Sequence, residues 1–306
     1  MRFTIFTLLL TLNLLSGGGA CAQLIQATSA PGSYRIRGGS AQAARVDYAL
    51  LIANDTFTDP AYRPLTNPTF DAREIEAVLR DKFGFRTTLL ANVTKDSCVR
   101  QIRRLASQSY GPYDQLFIFF AGHGDFDPVL QQGYAVMTNS KAGDDGYTNH
   151  LSFAYLQDLL AKFRCRHVLL TLDVCYGGTF DSYFATQNPN ELKRDGPERG
   201  VRADVEELGG QTPFILTKLK PQTRKYLTSG GKETVADGEK GKHSPFARFF
   251  LQKLNEAAGS DYRILPASDL KSYIERQSAI TRIGASVKMG SFGSDESNSE
   301  FLFIAR

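Results

Sequence analysis

The chain has 306 residues and a formal charge of +4, with 42% hydrophobic and 22% charged residues. That length allows one large α/β domain or two small ones, and the composition is that of an ordinary globular protein, not a disordered or fibrous one. No dense Lys/Arg block or basic–aromatic interleaving occurs, which argues against a nucleic-acid binder.

Met1-Arg2 precedes an apolar run from Ile5 to Leu15, followed by Ser16-Gly17-Gly18-Gly19-Ala20-Cys21-Ala22. A positive start, a short apolar core and an Ala-x-Ala ending predict a secretory signal peptide over residues 1–22. The apolar run is too short for a stable membrane span. Cleavage after Ala22 is expected, with a lipid anchor at Cys21 as the alternative. The product would be exported, either periplasmic or secreted. If Cys21 leaves with the signal, Cys98, Cys165 and Cys175 remain. An odd count in an oxidising compartment leaves at least one thiol unpaired. Cys98 and Cys165 are candidates to pair with each other.

Residues 23–45, rich in Ala, Ser, Gly and Gln, read as a flexible leader or pro-segment. Val46 to Ala53 is the first buried strand, and a turn-rich loop with Pro60, Pro64 and Pro68 follows. Ile75, Val78 and Leu79 have helical spacing in a segment from Asp71 that Gly84 ends. Phe85 to Leu90 is a second strand, and residues 95–109 a second helix with Val99, Ile102 and Leu105 inward. Gln115 to Ala121 is an unbroken apolar strand ending in Gly122-His123-Gly124-Asp125. Gly133 to Thr138 fits one arm of a small hairpin outside the main sheet. Ser152 caps a third helix with Tyr155, Leu156, Leu159, Leu160 and Phe163 inward. Val168 to Leu172 then runs into Asp173-Val174-Cys175-Tyr176-Gly177-Gly178.

Residues 179–211 are polar and aperiodic, and form a long mobile loop directly after Cys175. Pro213 to Leu219 and Lys225 to Ser229 read as strands. Ser244-Pro245 starts a helix that carries Phe246, Phe249, Phe250 and Leu254. A short helix covers about Ser268 to Arg276, and Phe301 to Ile304 is the last strand. Alternating strands and helices predict parallel pairing in a three-layer α/β/α sandwich over residues 46–306, as one domain.

Two buried strands thus end in a histidine and a cysteine, 52 positions apart (175 − 123). A thiol is mostly protonated at neutral pH, so a nearby imidazole must generate the thiolate. His123 is the candidate base, later the acid for the leaving amine, and Cys175 the candidate nucleophile. Cys98 and Cys165 have no such context. No spacing among His150, His167 and His243 suggests metal ligation.

The blocks IFFAGHGD and LLTLDVCYGG resemble those of the caspase-like cysteine peptidases, the metacaspase branch and its bacterial relatives in particular. In that family a histidine lies about 50 residues upstream of the cysteine. The likeness extends to Asp71-Ala72, to Tyr226-Leu227-Thr228-Ser229-Gly230-Gly231 with Val235-Ala236-Asp237-Gly238, and to His243-Ser244-Pro245-Phe246. The resemblance implies a caspase/hemoglobinase-like sandwich with a mostly parallel sheet, and an oxyanion hole from the amides of Gly124 and Cys175. It also implies protein or peptide substrates with Arg or Lys before the scissile bond, held by Asp173. Asp55 is a weaker match to a second pocket carboxylate, and Asp237 is a candidate at the lip. No cofactor is required. Calcium, used by some metacaspases, would find ligands at Asp144, Asp145 and Asp181. Cleavage after basic residues would also permit self-cleavage near Lys193-Arg194, Arg199 or Arg202. Two other readings use the same blocks: a binding or signalling module with a vestigial dyad, and a transpeptidase or ligase that passes through the same acyl-enzyme.

Overall fold

The apolar runs become neighbouring strands in the computed structural model, which describes residues 25–27, 33–36, 43–180, 211–230, 237–281 and 287–306. Ile25–Ala27 (β1) and Ser33–Ile36 (β2) pair antiparallel, and β2 pairs antiparallel with the start of Ala43–Ala53 (β3). The stretch read as a flexible leader thus carries two short strands, β1 paired with β2 and β2 paired with residues 43–46 of β3. Arg86–Ala91 (β4) and Gln115–Gly122 (β5) flank β3 in parallel. His167–Val174 (β9) runs parallel to β5, and Thr223–Thr228 (β10) parallel to β9. Lys288–Ser291 (β12) closes that edge antiparallel to β10. Because β4 turns back to the far side of β3, the strand order reverses between β3 and β5. In open parallel sheets the crevice beyond the strand ends at such a reversal is where ligands bind.

Side-chain alternation along β5 builds the two outer layers. Phe117 and Phe119 face a core with Pro68–Phe83 (α1), Pro245–Gly259 (α5) and Ala267–Ile280 (α6). Ile118 and Phe120 face the other, with Lys95–Ser107 (α2) and Phe153–Ala161 (α3). Phe117, Phe250 and Phe303 are fully buried and mutually packed, with ring centroids 5.5–6.0 Å apart. Each such ring contributes about 1.5–3 kcal/mol through removal of apolar area from water.

Several elements differ from expectation. Gln211–Leu219 (α4) is a helix, not a strand: Phe214, Ile215 and Leu219 share one helical face and pack on Leu302 and Ile304. Leu302–Ile304 (β13) lies outside the main sheet, paired with Ile264–Pro266 (β11). Tyr155 faces solvent, because Phe153, Leu156 and Leu160 supply the buried stripe of α3. Gly124–Asp127 (β6), Gln132–Ala135 (β7) and Leu151–Ser152 (β8) form a small separate sheet directly after His123. Cys98 and Cys165 are free buried thiols, not a disulfide. The Cys165 Sγ is turned to the carbonyls of Asp114 and His167 instead. The expected signal segment and the basic sites near 193–202 lie outside the described residues. Among the described residues no helix is long and apolar enough to cross a membrane.

Candidate active site

Register places the two candidate catalytic residues side by side. Ala121 on β5 lies opposite Asp173 on β9, and Gly122 opposite Val174, so His123 and Cys175 follow one step beyond on adjacent strands. Parallel neighbours are about 4.8 Å apart. Both residues line one cleft, together with Asp71, Asp173, Asp237 and Ser244.

His123 is held by backbone and by rings. Its Nε2 lies 2.7 Å from the carbonyl oxygen of Arg63. A carbonyl only accepts, so Nε2 carries the proton and Nδ1 presents the lone pair that can take one from a thiol. The rings of Phe57 and Tyr62 pack beside the imidazole, at centroid distances of 5.1 and 6.2 Å. The His123 carbonyl accepts from Val136 N at 2.9 Å, which ties the residue to the small sheet. The Arg63 carbonyl was not foreseen. A backbone atom from a loop 60 residues away carries no residue signature.

Cys175 opens a tight turn in which Gly177 N donates to Val174 O at 3.2 Å. The left-handed residue is Tyr176, φ 59°, rather than a glycine. Space at Gly177 is close: a Cβ there would sit 3.2 Å from Val174 O, a tight contact, and 3.4 Å from the Thr228 Cβ, an ordinary one. Gly124 is tighter still: a Cβ would lie 1.8 Å from Cys175 O and 3.2 Å from Cys175 N. The backbones at Gly124 and Cys175 are therefore packed directly against each other, at the two positions expected to supply the oxyanion donors. Gly124→Ala must push the two strand ends apart. We expect it to lower kcat at least about 100-fold, the scale of losing an oxyanion donor, and to cost about 1–3 kcal/mol from overpacking. Steady-state kinetics and thermal unfolding of the variant test both.

Asp173 forms the buried wall of the cleft, with the residue 7% exposed. Its Oδ2 accepts from Ser244 Oγ at 2.7 Å, and the same hydroxyl accepts from Ala247 N to cap α5. Desolvation pushes its pKa up to about 6; the Ser244 and Ser229 hydroxyls ease the charge, while Asp71 and Asp237 add repulsion. Ser229 closes no hydrogen bond of good geometry. Its Oγ and Asp173 Oδ1 are both buried without a hydrogen-bond partner among the described residues.

The other carboxylates have distinct positions. Asp71, read only as part of a helix start, is a cleft residue, and burial raises its pKa. Its oxygens accept from Ser244 N at 3.0 Å and pair with His243 Nδ1 at 2.6 Å, which pins α1 to the start of α5. Asp237 lines the cleft, but its carboxylate accepts from Thr66 N, Thr66 Oγ1 and Asn67 N. Asp55 is not among the residues lining the cleft; its amide bonds to Asn92 Oδ1 and its carbonyl to Leu65 N.

The remaining thiols and histidines lack catalytic settings. Burial pushes Cys98 and Cys165 up to about 12, and His167 down to about 4. The Asp144 carboxylate accepts from Gly146 N and Thr148 N, closing its own turn. Among the described residues no group of three or more His, Cys, Asp or Glu could hold a metal ion, and Asp181 lies outside them. Asp144 and Asp145 alone do not make a calcium cage.

Comparison with known proteins bears on the family and the fold. The caspase-domain family model matches residues 46–276. Among solved structures, caspase-1 from Spodoptera frugiperda matches at 13% identity with a TM-score of 0.51, covering 82% of this chain and 91% of that one. At such identity the match speaks for the fold. No curated protein matches the sequence. By the span of the family match and by its fold, the chain belongs to the caspase-domain family of cysteine peptidases.

Proposed function

We propose that the chain is an active, exported cysteine endopeptidase that cuts after arginine or lysine through a Cys175–His123 dyad. His123 Nδ1 takes the thiol proton, and the thiolate attacks the carbonyl carbon of the scissile bond. The amides of Gly124 and Cys175 hold the resulting oxyanion. As the tetrahedral adduct collapses, the C–N bond breaks and His123 returns the proton to the departing amine. Water, deprotonated by the same imidazole, then hydrolyses the thioester. The thiol proton leaves on the departing amine and a proton from water restores the thiol, so this cycle calls on no cofactor.

The observation that carries the specificity is the Asp173 carboxylate, buried beside the nucleophile with Oδ1 unpartnered among the described residues. A guanidinium or ammonium would supply both the missing donor and the missing charge. The test is hydrolysis of matched fluorogenic peptides ending in Arg, Lys or Asp. Cleavage after Arg or Lys supports the reading. Cleavage after Asp alone overturns the acidic-pocket argument.

A pH series isolates the pocket from the dyad. Asp173 has a pKa of about 6 in the free enzyme, so acid neutralises it before substrate arrives. For an Arg peptide and its uncharged citrulline isostere, titration of the dyad cancels in the ratio of kcat/KM. We expect that ratio to be highest above pH ~7 and to fall as pH drops through ~6, since kcat/KM reports free-enzyme groups. A flat ratio from pH 5 to 8 would remove Asp173 from the pocket.

A further inference from the structure

The loop that presents the Arg63 carbonyl to His123 carries a polar cluster the reaction does not use directly. Tyr62 Oη lies 2.9 Å from Asp125 Oδ2 and 2.8 Å from His150 Nε2. His150 is 1% exposed, and its Nδ1 has no partner among the described residues. Desolvation lowers the His150 pKa, so the ring is neutral and carries one proton. An unpartnered buried N–H costs more than an unpartnered lone pair on an imidazole, which places that proton on Nε2. The hydrogen bonds then have a single direction: His150 Nε2–H donates to Tyr62 Oη, and the Tyr62 hydroxyl donates to the Asp125 carboxylate. Burial and the Asp125 charge both keep the phenol protonated, raising its pKa.

The cluster surrounds the catalytic histidine. Tyr62 is the residue before Arg63, and its ring packs beside the His123 imidazole. Asp125 is two residues after His123, on β6. His150 comes from the segment entering β8 and packs edge-on to Tyr62 and Tyr147. One hydroxyl therefore joins the loop before the Arg63 carbonyl to the strand after His123. We propose that Tyr62, pinned by Asp125 and His150, is a positioning residue: it sets the Arg63 carbonyl against His123 Nε2 and thereby keeps Nδ1 as the base. This rests on the dyad reading above. The loop has further anchors, Thr58 N to Thr138 O at 2.9 Å and Ala142 N to Asp59 Oδ2 at 3.1 Å, so removal of one hydroxyl leaves it folded. Of the groups facing the cluster, backbone N–H donors hold Asp59 and Asp144 below the ordinary carboxylate range, and burial raises Tyr147. These keep their charge between about pH 6 and 9, and Lys95 also faces His150.

The test reads the dyad without substrate. Iodoacetamide alkylation of Cys175 is followed by mass spectrometry against pH, in the full chain and in His123→Ala, Tyr62→Phe, Asp125→Asn and Asp125→Ala, with thermal unfolding of each. The dyad reading requires that His123→Ala slow alkylation near neutral pH; if it does not, that reading fails and the proposal falls with it. Given that response, we expect Tyr62→Phe to shift the alkylation profile toward that of His123→Ala. On Arg peptides it should lower kcat about 10–100-fold with KM nearly unchanged, up to the scale of a catalytic group misplaced by about 1 Å. Asp125→Ala should behave as Tyr62→Phe does, and Asp125→Asn, which can still accept from Tyr62, should lose less. A purely structural tyrosine would lower the melting temperature and leave the alkylation profile of wild type, an outcome that overturns the proposal while leaving the dyad intact.

Discussion

Cys175→Ala should be folded, with a melting temperature close to wild type, and should cleave Arg peptides at least about 10⁴-fold more slowly, the scale seen when a covalent nucleophile is deleted. Cys175 is partly exposed at the head of a turn, so shortening it by one sulfur leaves no sealed cavity. His123→Ala should lose about 10²–10⁴-fold at neutral pH, the range for a general base. Its deficit should narrow as pH rises, because hydroxide can then take the thiol proton in place of the missing imidazole. Cys98→Ala serves as the control and should keep full kcat: that thiol is fully buried, and desolvation pushes it up to about 12. Cleavage that survives in Cys175→Ala would remove this thiol from the reaction, and absence of cleavage by the wild-type chain under every condition would favour the binding-module reading.

The elements that built this site were readable to different depths. β3, β5 and β9 are covered on both faces, so their sequences are nearly unbroken apolar runs, and the polar residues that end them stand out. His123, Asp173 and Cys175 were visible for that reason. Ser244 was seen as a helix cap, which it is; that its hydroxyl also donates to Asp173 depends on how α5 docks against β9. Asp55 and Asp71 both follow the first strand in sequence, and their composition does not separate them. Asp71 reaches the cleft because α1 and α5 pack together, bringing residues 172 positions apart into contact at His243. Short elements were lost for a plainer reason. β12 is exposed or half-exposed throughout, so it has no alternation to read. Among the described residues α4 shows only three buried apolar positions, too few for its period to stand out in a nine-residue helix.

Asp173→Asn should change activity and stability in opposite directions. Asparagine keeps the shape and can still accept from Ser244 Oγ, now the partner of Asp173 Oδ2 at 2.7 Å. It loses the charge a basic side chain would meet. Breaking a buried ion pair costs about 3–5 kcal/mol, so kcat/KM for Arg peptides should fall by about two to four decades, with the citrulline peptide little affected. The free protein should gain. The folded pKa of Asp173, about 6, lies above its ordinary 3.8. A raised carboxylate adds stability at low pH that is lost as pH rises through the folded value. Ionised and unpaired at pH 7.5, Asp173 therefore costs about 2–3 kcal/mol, by the conversion of about 1.4 kcal/mol per unit. The Asn variant should melt higher than wild type at pH 7.5, and the advantage should shrink toward zero near pH 4. Saturating a wild-type sample with an arginine-based inhibitor should recover the same stability by pairing the charge. If Asp173→Asn loses Arg cleavage and also melts lower at pH 7.5, the carboxylate is a structural acceptor for Ser244, and the cleft discriminates its substrates by some other group.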